Sequence, residues 1–157
     1  MAAVADEVGV RAPSLYKHVA DRPTLIAAVA DGAVADLGVA MEAAAGTTGQ
    51  TEDRLRQVAA AFRAFARSRP RATALVFAGL GTEHQPSVDA ARAAVAPLLA
   101  LTAELAGPSS ALEAARAMTA YAYGFAAMEA GAAFRFGGSV DAAWEAGLDA
   151  LIRGLRA

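Results

Sequence analysis

The sequence predicts an all-α fold, with a short helix-turn-helix at the N-terminus and a helical bundle after it. Three observations carry that expectation. Apolar residues recur at three- and four-residue spacing, the repeat of one helix face, and no segment alternates apolar and polar residues as a half-buried strand does. Hydrophobic residues fill 56% of the 157 positions, and much of that share is alanine, the best helix former. Turn-forming residues gather in short breaks, at Gly46-Thr-Thr-Gly49, Gly107-Pro-Ser109 and Gly137-Gly-Ser139.

The first helix carries Val4 and Val8, four apart and on one face. Gly9 stops it, because glycine accepts the left-handed backbone that ends helices. Val10 follows in the turn, where it can plug the angle between two helices. A second short helix runs from about Pro13 to Val19, proline being suited to a first helical turn. Its Leu15 and Val19 face Val4 and Val8, while Ser14, Tyr16, Lys17 and His18 lie on the other side. In a helix-turn-helix such a face enters the major groove of DNA. Asp21 then caps a long helix from Arg22 to about Ala45, with Leu25, Val29, Leu37 and Met41 along its apolar side.

Glu52 to Arg67 is helical, with Leu55, Val58, Phe62 and Phe65 on one face. Pro70 opens a short helix holding Leu75, Val76, Phe77 and Leu80. A polar loop from Gly81 to Pro86 contains His84. Ser87 caps the next helix, which reaches about Ala106 and is kinked or divided at Pro97. A long apolar helix spans 110–136, and the last helix runs from Asp141 to Arg156.

The wording of the N-terminal segment is narrower than a generic helix-turn-helix. Ala5-x-x-Val8-Gly9-Val10, then Leu15-Tyr16-x-His18-Val19, Arg22 and Leu25 resemble the signature of TetR/AcrR-type transcriptional regulators. That family shows a Gly-Val turn, a Leu-Tyr-x-His-Phe recognition helix, and a Lys and a Leu opening a connecting helix. Here Val19 stands for the Phe and Arg22 for the Lys. The family has a further helix ahead of this point, with which the chain does not begin. Residues 1–20 are therefore expected to be the most mobile helical segment. Net charge is −2, and Arg11, Lys17 and Arg22 are balanced within residues 1–25 by Asp6, Glu7 and Asp21. Charge alone describes an ordinary solvated surface. With the resemblance, Arg11, Ser14, Tyr16, Lys17, His18 and Arg22 are the expected contacts to double-stranded operator DNA.

The C-terminal helices carry a second clue. Gly124 and Gly131 are seven residues apart, as are Gly147 and Gly154, and two helical turns return to nearly the same face. An interior glycine costs a helix roughly 1 kcal/mol relative to alanine, so these positions imply close approach of another helix. With Trp144, Leu148, Leu151 and Leu155 they are the expected half of a four-helix homodimer interface, the alternative being a contact within one chain. Ala122-Tyr123-Gly124, Phe134-Arg-Phe-Gly137 and Leu148-x-x-Leu151-Ile-x-Gly154-Leu155 resemble the WHG-type C-terminal domain of TetR-like regulators, with Tyr123 in place of the motif histidine. The resemblance implies a DNA-binding domain with its connecting helix over residues 1–45, and a ligand-binding and dimerisation domain over residues 46–157.

A pocket for a small hydrophobic or amphipathic effector is expected among Phe62, Phe65, Leu75, Phe77, Leu80, Met118, Tyr121, Phe125 and Met128. The competing expectation is that the same stripes are plain core. Glu129 interrupts an apolar helix and is expected to pair with a distant arginine, to edge the dimer, or to meet ligand. Arg63, Arg67, Arg69 and Arg71 either attract an anion or complement a helix C-terminus. The chain has no cysteine, which excludes disulfides and thiolate chemistry. His18 and His84 lack metal-ligand spacing, and no phosphate loop, nucleophile elbow or paired carboxylates point to an enzyme or a cofactor. Asp31, Asp36, Glu42 and Glu104 interrupt the apolar runs that would otherwise approach a membrane span. The sequence thus points to a ligand-responsive repressor in the cytoplasm. The alternative is a regulator-derived helical binding or dimerisation protein without autonomous DNA binding.

Overall fold

The structure, a computed structural model, describes residues 1–77 and 85–156. Leu80 and His84 lie outside the described residues. Among these there are eight helices and no strand. They are α1 (Ala2–Glu7), α2 (Ala12–Leu15), α3 (Arg22–Ala45), α4 (Thr51–Ser68), α5 (Pro70–Phe77), α6 (Val88–Ala106), α7 (Ala111–Ala130) and α8 (Val140–Gly154).

Local chemistry starts the long helices where the sequence predicts. Asp21 is extended, and its Oδ1 accepts the Thr24 backbone N–H at 2.8 Å. Hydrogen bonding with the Thr24 side chain first, and with this N–H second, holds its carboxyl below the usual range. Ser87 Oγ accepts from Ala90 N at 3.2 Å, and Ser139 Oγ from Ala142 N at 3.1 Å. The far end of α3 is closed from another helix: Arg54 donates to the carbonyls of Ala45 at 2.8 Å and Gly46 at 3.1 Å. Those carbonyls have no partner inside a helix, so a long-range arginine supplies one.

α3 is the central strut. It packs most extensively against α6 and α4. The crossing with α6 is close because Gly38 lacks a side chain: a Cβ there would lie 2.9 Å from Ala94 Cα. By length and composition α3 would suffice to cross a membrane, contrary to the expectation from its acidic residues. In this fold two of those residues make contacts instead. Asp36 pairs with Arg69, and Asp31 accepts the Ser87 backbone N–H at 2.6 Å. The buried side of α3 comprises Ala30, Ala33, Val34, Leu37, Met41 and Ala45. Val29, expected on that side, is 51% exposed.

Of the two expectations for Pro97, a kink or a division, division is excluded: α6 is one helix from Val88 to Ala106 with Pro97 buried inside it. A further expectation is corrected. α7 stops at Ala130, six residues before the expected end. Ala133 N bonds back to Met128 O at 2.9 Å, with Ala132 left-handed at φ 50°. That six-to-one closure is a Schellman stop. It makes Gly131 a terminal residue of α7 and not an interior packing position. One core runs through the bundle, from Leu37 and Met41 through Leu55, Phe62 and Leu101 to Trp144, Leu148 and Ile152.

Candidate functional site

A cavity of about 860 Å³ opens between α3, α4, α5, α6 and α7. Its floor is buried and apolar: Leu37 and Met41 of α3, Val58 and Phe62 of α4, Leu98 of α6 and Met118 of α7. Its mouth is exposed and mixed, with Val88, Arg92, Leu112 and Arg116. This volume and this lining suit a small molecule. Of the nine expected pocket residues, Phe62, Phe77 and Met118 line the cavity, and Leu80 lies outside the described residues.

The other five point elsewhere, for a geometric reason. On α7, Met118 and Ala122 stand on the cavity face, whereas Tyr121 and Phe125 stand on the face that meets α8. Trp144 is 5.2 Å from both of those rings, centroid to centroid. Phe65 is half-buried beneath the Arg69 guanidinium, Leu75 is half-buried off the lining, and Met128 is exposed near the end of α7. Val34, Val76, Val95 and Thr119, which sequence reasoning missed, line the cavity instead. The Val34-Leu37-Met41 spacing is that of one helix face and could have singled out Val34, whereas Val76, Val95 and Thr119 stand on other helices.

A polar knot joins α4, α7 and α8. Arg63 of α4 donates from Nε to Glu129 at 2.8 Å and from one terminal nitrogen to Glu129 at 2.6 Å and Asp141 at 2.8 Å. Its guanidinium also lies over the rings of Phe125 and Trp144, at 5.3 and 4.9 Å. The hydrogen bond from Arg63 holds the Glu129 carboxyl below the usual range against the opposing effect of burial. Glu129 therefore has the distant arginine that was one of its three expected partners. Arg63 is not part of a solvated arginine patch.

The α8 stripe is redistributed. Trp144 and Leu148 are buried within their own chain, so neither has surface to offer a second copy. Leu151 and Leu155 are half-buried against the same core. Gly147 does serve a close approach, but to Tyr121 of the same chain: a Cβ there would fall 2.5 Å from Tyr121 Oη. That hydroxyl donates to the Trp144 carbonyl at 2.6 Å. Gly124 and Gly154 are different, because a Cβ at either would meet nothing within 4 Å.

At the N-terminus the recognition segment is shorter than expected. Regular helix ends at Leu15, and the chain continues through tight turns, with Lys17 N bonded to Ser14 O at 3.3 Å and His18 N to Leu15 O at 3.0 Å. Ala5 is the buried residue of α1. Val4, Val8 and Val10 are exposed, so Val10 does not plug the inter-helix angle. Gly9 is left-handed at φ 70°, as a stop requires. Arg11, Ser14, Tyr16, Lys17, His18 and Arg22 are all exposed.

Residues 55–151 match the family described as Tetracyclin repressor-like, C-terminal domain. The chain belongs to the TetR family of transcriptional regulators. Solved structures of similar fold agree with this TetR-family architecture over nearly the whole chain. A protein of unknown function from Rhodococcus sp. RHA1 is 27% identical with a TM-score of 0.79, over 98% of this chain and 82% of that one. A possible TetR family transcriptional regulator from Streptomyces coelicolor A3(2) is 21% identical with a TM-score of 0.73, over 98% and 87%. A TetR variant from Acinetobacter baumannii AYE, solved in complex with minocycline, is 24% identical with a TM-score of 0.66, over 98% and 84%. No curated protein matches the chain.

Proposed function

We propose that this regulator is a cytoplasmic, homodimeric repressor that leaves its operator when a small apolar or amphipathic molecule fills the cavity. The observation that carries the reading is the double role of α3. Its first residue, Arg22, follows directly on the recognition segment, and Val34, Leu37 and Met41 further along it line the cavity. Arg22 and Leu37 are separated by about 22 Å of helix at 1.5 Å per residue. A rigid rod shared by both regions lets ligand and DNA prefer different tilts of the same element, and each then shifts the population the other selects. In this reading Arg11, Lys17 and Arg22 meet phosphate, while Ser14, Tyr16 and His18 meet base edges. Gly124 and Gly154 mark the face open to a second copy.

The test is binding to DNA from the gene's own upstream region over a range of salt. Lys17→Ala should weaken binding and lower the slope of log K against log salt by about 1 if Lys17 meets phosphate. Equal binding by the unmodified protein and a Tyr16→Ala/Lys17→Ala double variant would defeat the assignment. Two observations favour the second reading, a regulator-derived dimerisation or binding protein without DNA binding of its own. Regular helix in the recognition segment is limited to Ala12–Leu15, and Val4, Val8 and Val10 are exposed. That reading predicts a stable dimer with no preference for any DNA sequence.

A further inference from the structure

The cavity is graded from floor to mouth, and the grading carries a charge sign. Among the described lining residues there are two arginines, Arg92 and Arg116, and no carboxylate. The arginines come from different helices, α6 and α7, and both sit at the exposed end. They are not equivalent. Arg92 already answers Asp89, one turn earlier, at 2.9 Å, although both side chains are largely exposed and the pair is correspondingly weak. Arg116 makes no ion pair among the described residues. It also borders a second, smaller pocket of about 300 Å³ together with Thr119, which lies three residues further on and offers a hydroxyl.

We propose that the cavity takes a carboxylate-bearing amphiphile, with its apolar body against Met41, Val58, Phe62 and Leu98 and its carboxylate on Arg116. The proposal rests on the ligand-cavity reading above and adds the sign and the position of the charge. The buried floor offers dispersion contacts and no partner for a polar group, so a charged end left there would be desolvated without compensation. At the mouth, a guanidinium fork matches a carboxylate in shape as well as charge. The same two arginines repel a cationic amphiphile, so selectivity has a repulsive side too. Arg92 stands second, since engaging a ligand requires it to leave or share Asp89.

Calorimetric titration of the full chain with decanoate, decanol and decylammonium, each below its aggregation concentration, tests this. Decanoate should bind several-fold tighter than decanol, the scale of an ion pair at an exposed guanidinium, and decylammonium weakest. Arg116→Ala should bring the ratio of decanoate to decanol affinity down to about one. Arg116→Lys should restore part of the preference, and Arg92→Ala should have the smaller effect. Thermal melts of each variant separate binding from folding, and Arg116 is exposed enough for the variants to fold. Equal binding of decanoate and decanol, or a preference that survives Arg116→Ala, overturns the proposal and leaves the cavity reading standing. Binding of none of the three probes by the folded protein overturns both.

Discussion

Arg63 can be buried against two aromatic rings because Glu129 and Asp141 answer its charge from different helices. Burying a charge without such partners would cost several kcal/mol. Glu129→Gln keeps the shape but removes the negative charge, and is expected to cost about 2 kcal/mol of stability at neutral pH. The pH dependence has a definite sign. The Glu129 carboxyl titrates below its ordinary value of 4.5 in the folded chain, chiefly through the hydrogen bond from Arg63. Its contribution is therefore full above that value and is lost as pH falls through the folded one. Urea melts of the two proteins should differ at pH 7 and converge in acid, and a gap unchanged at pH 3 would contradict the pairing. Ala132 provides a second residue-level expectation. It is left-handed at φ 50° where a Schellman stop ordinarily has glycine. Ala132→Gly should stabilise the chain by about 1 kcal/mol in thermal melts.

Element pairs divide the glycines into two kinds. Gly147 exists because α7 presses Tyr121 against α8. Gly147→Ala must displace a ring held between Phe125 and Trp144 and break its 2.6 Å hydrogen bond to the Trp144 carbonyl. It should destabilise the chain despite alanine's helix advantage of about 1 kcal/mol. Gly124→Ala, with open space around the new Cβ, should keep that advantage in the isolated chain. The two variants melting in the opposite order would refute this division. The open face of Gly124 is also where a second copy is expected. Gly124→Trp should raise the dimer dissociation constant in sedimentation with helical content unchanged. An unmodified chain that sediments as a monomer at micromolar concentration would remove the interface from consideration. Trp144→Ala acts on the fold instead, since the ring is buried within its own chain, and should cost about 3–5 kcal/mol.

The whole molecule is organised around α3, which takes part in the cavity, in the packing of the bundle and in the link to the recognition segment. Cavity residues outside the shared core are the places to separate signal from stability. Phe77 lines the cavity while half-buried, stacking on Tyr123 at 5.0 Å and meeting Phe62 edge-on at 5.5 Å. On the proposed repressor mechanism, Phe77→Ala should shift the effector concentration needed to release operator DNA several-fold and change operator affinity little. An equal loss of both in a release assay would mean that the ring supports the fold and not the response. Phe125→Ala should do the latter, because Phe125 belongs to the α7–α8 contact.

Much of this fold is legible in the linear chain because the forces concerned act over four residues or fewer. The helix period, the Asp21 and Ser87 caps, the Gly9 stop and the breaks near Gly46 and Gly107 depend on neighbours in sequence. The helix-turn-helix wording belongs to the same class. The cavity and the polar knot do not. Tyr121 and Met118 are three residues apart on one helix, similar in apolar character, and nothing local distinguishes the face that meets α8 from the face that opens on the cavity. Glu129 finds Arg63 across 66 positions, and that choice is made when α4 and α7 pack. Trp144 and Leu148 form a stripe that a second copy or the chain's own core could cover equally well. Burial is non-directional and rewards either solution, so the three-dimensional arrangement of the helices selects one.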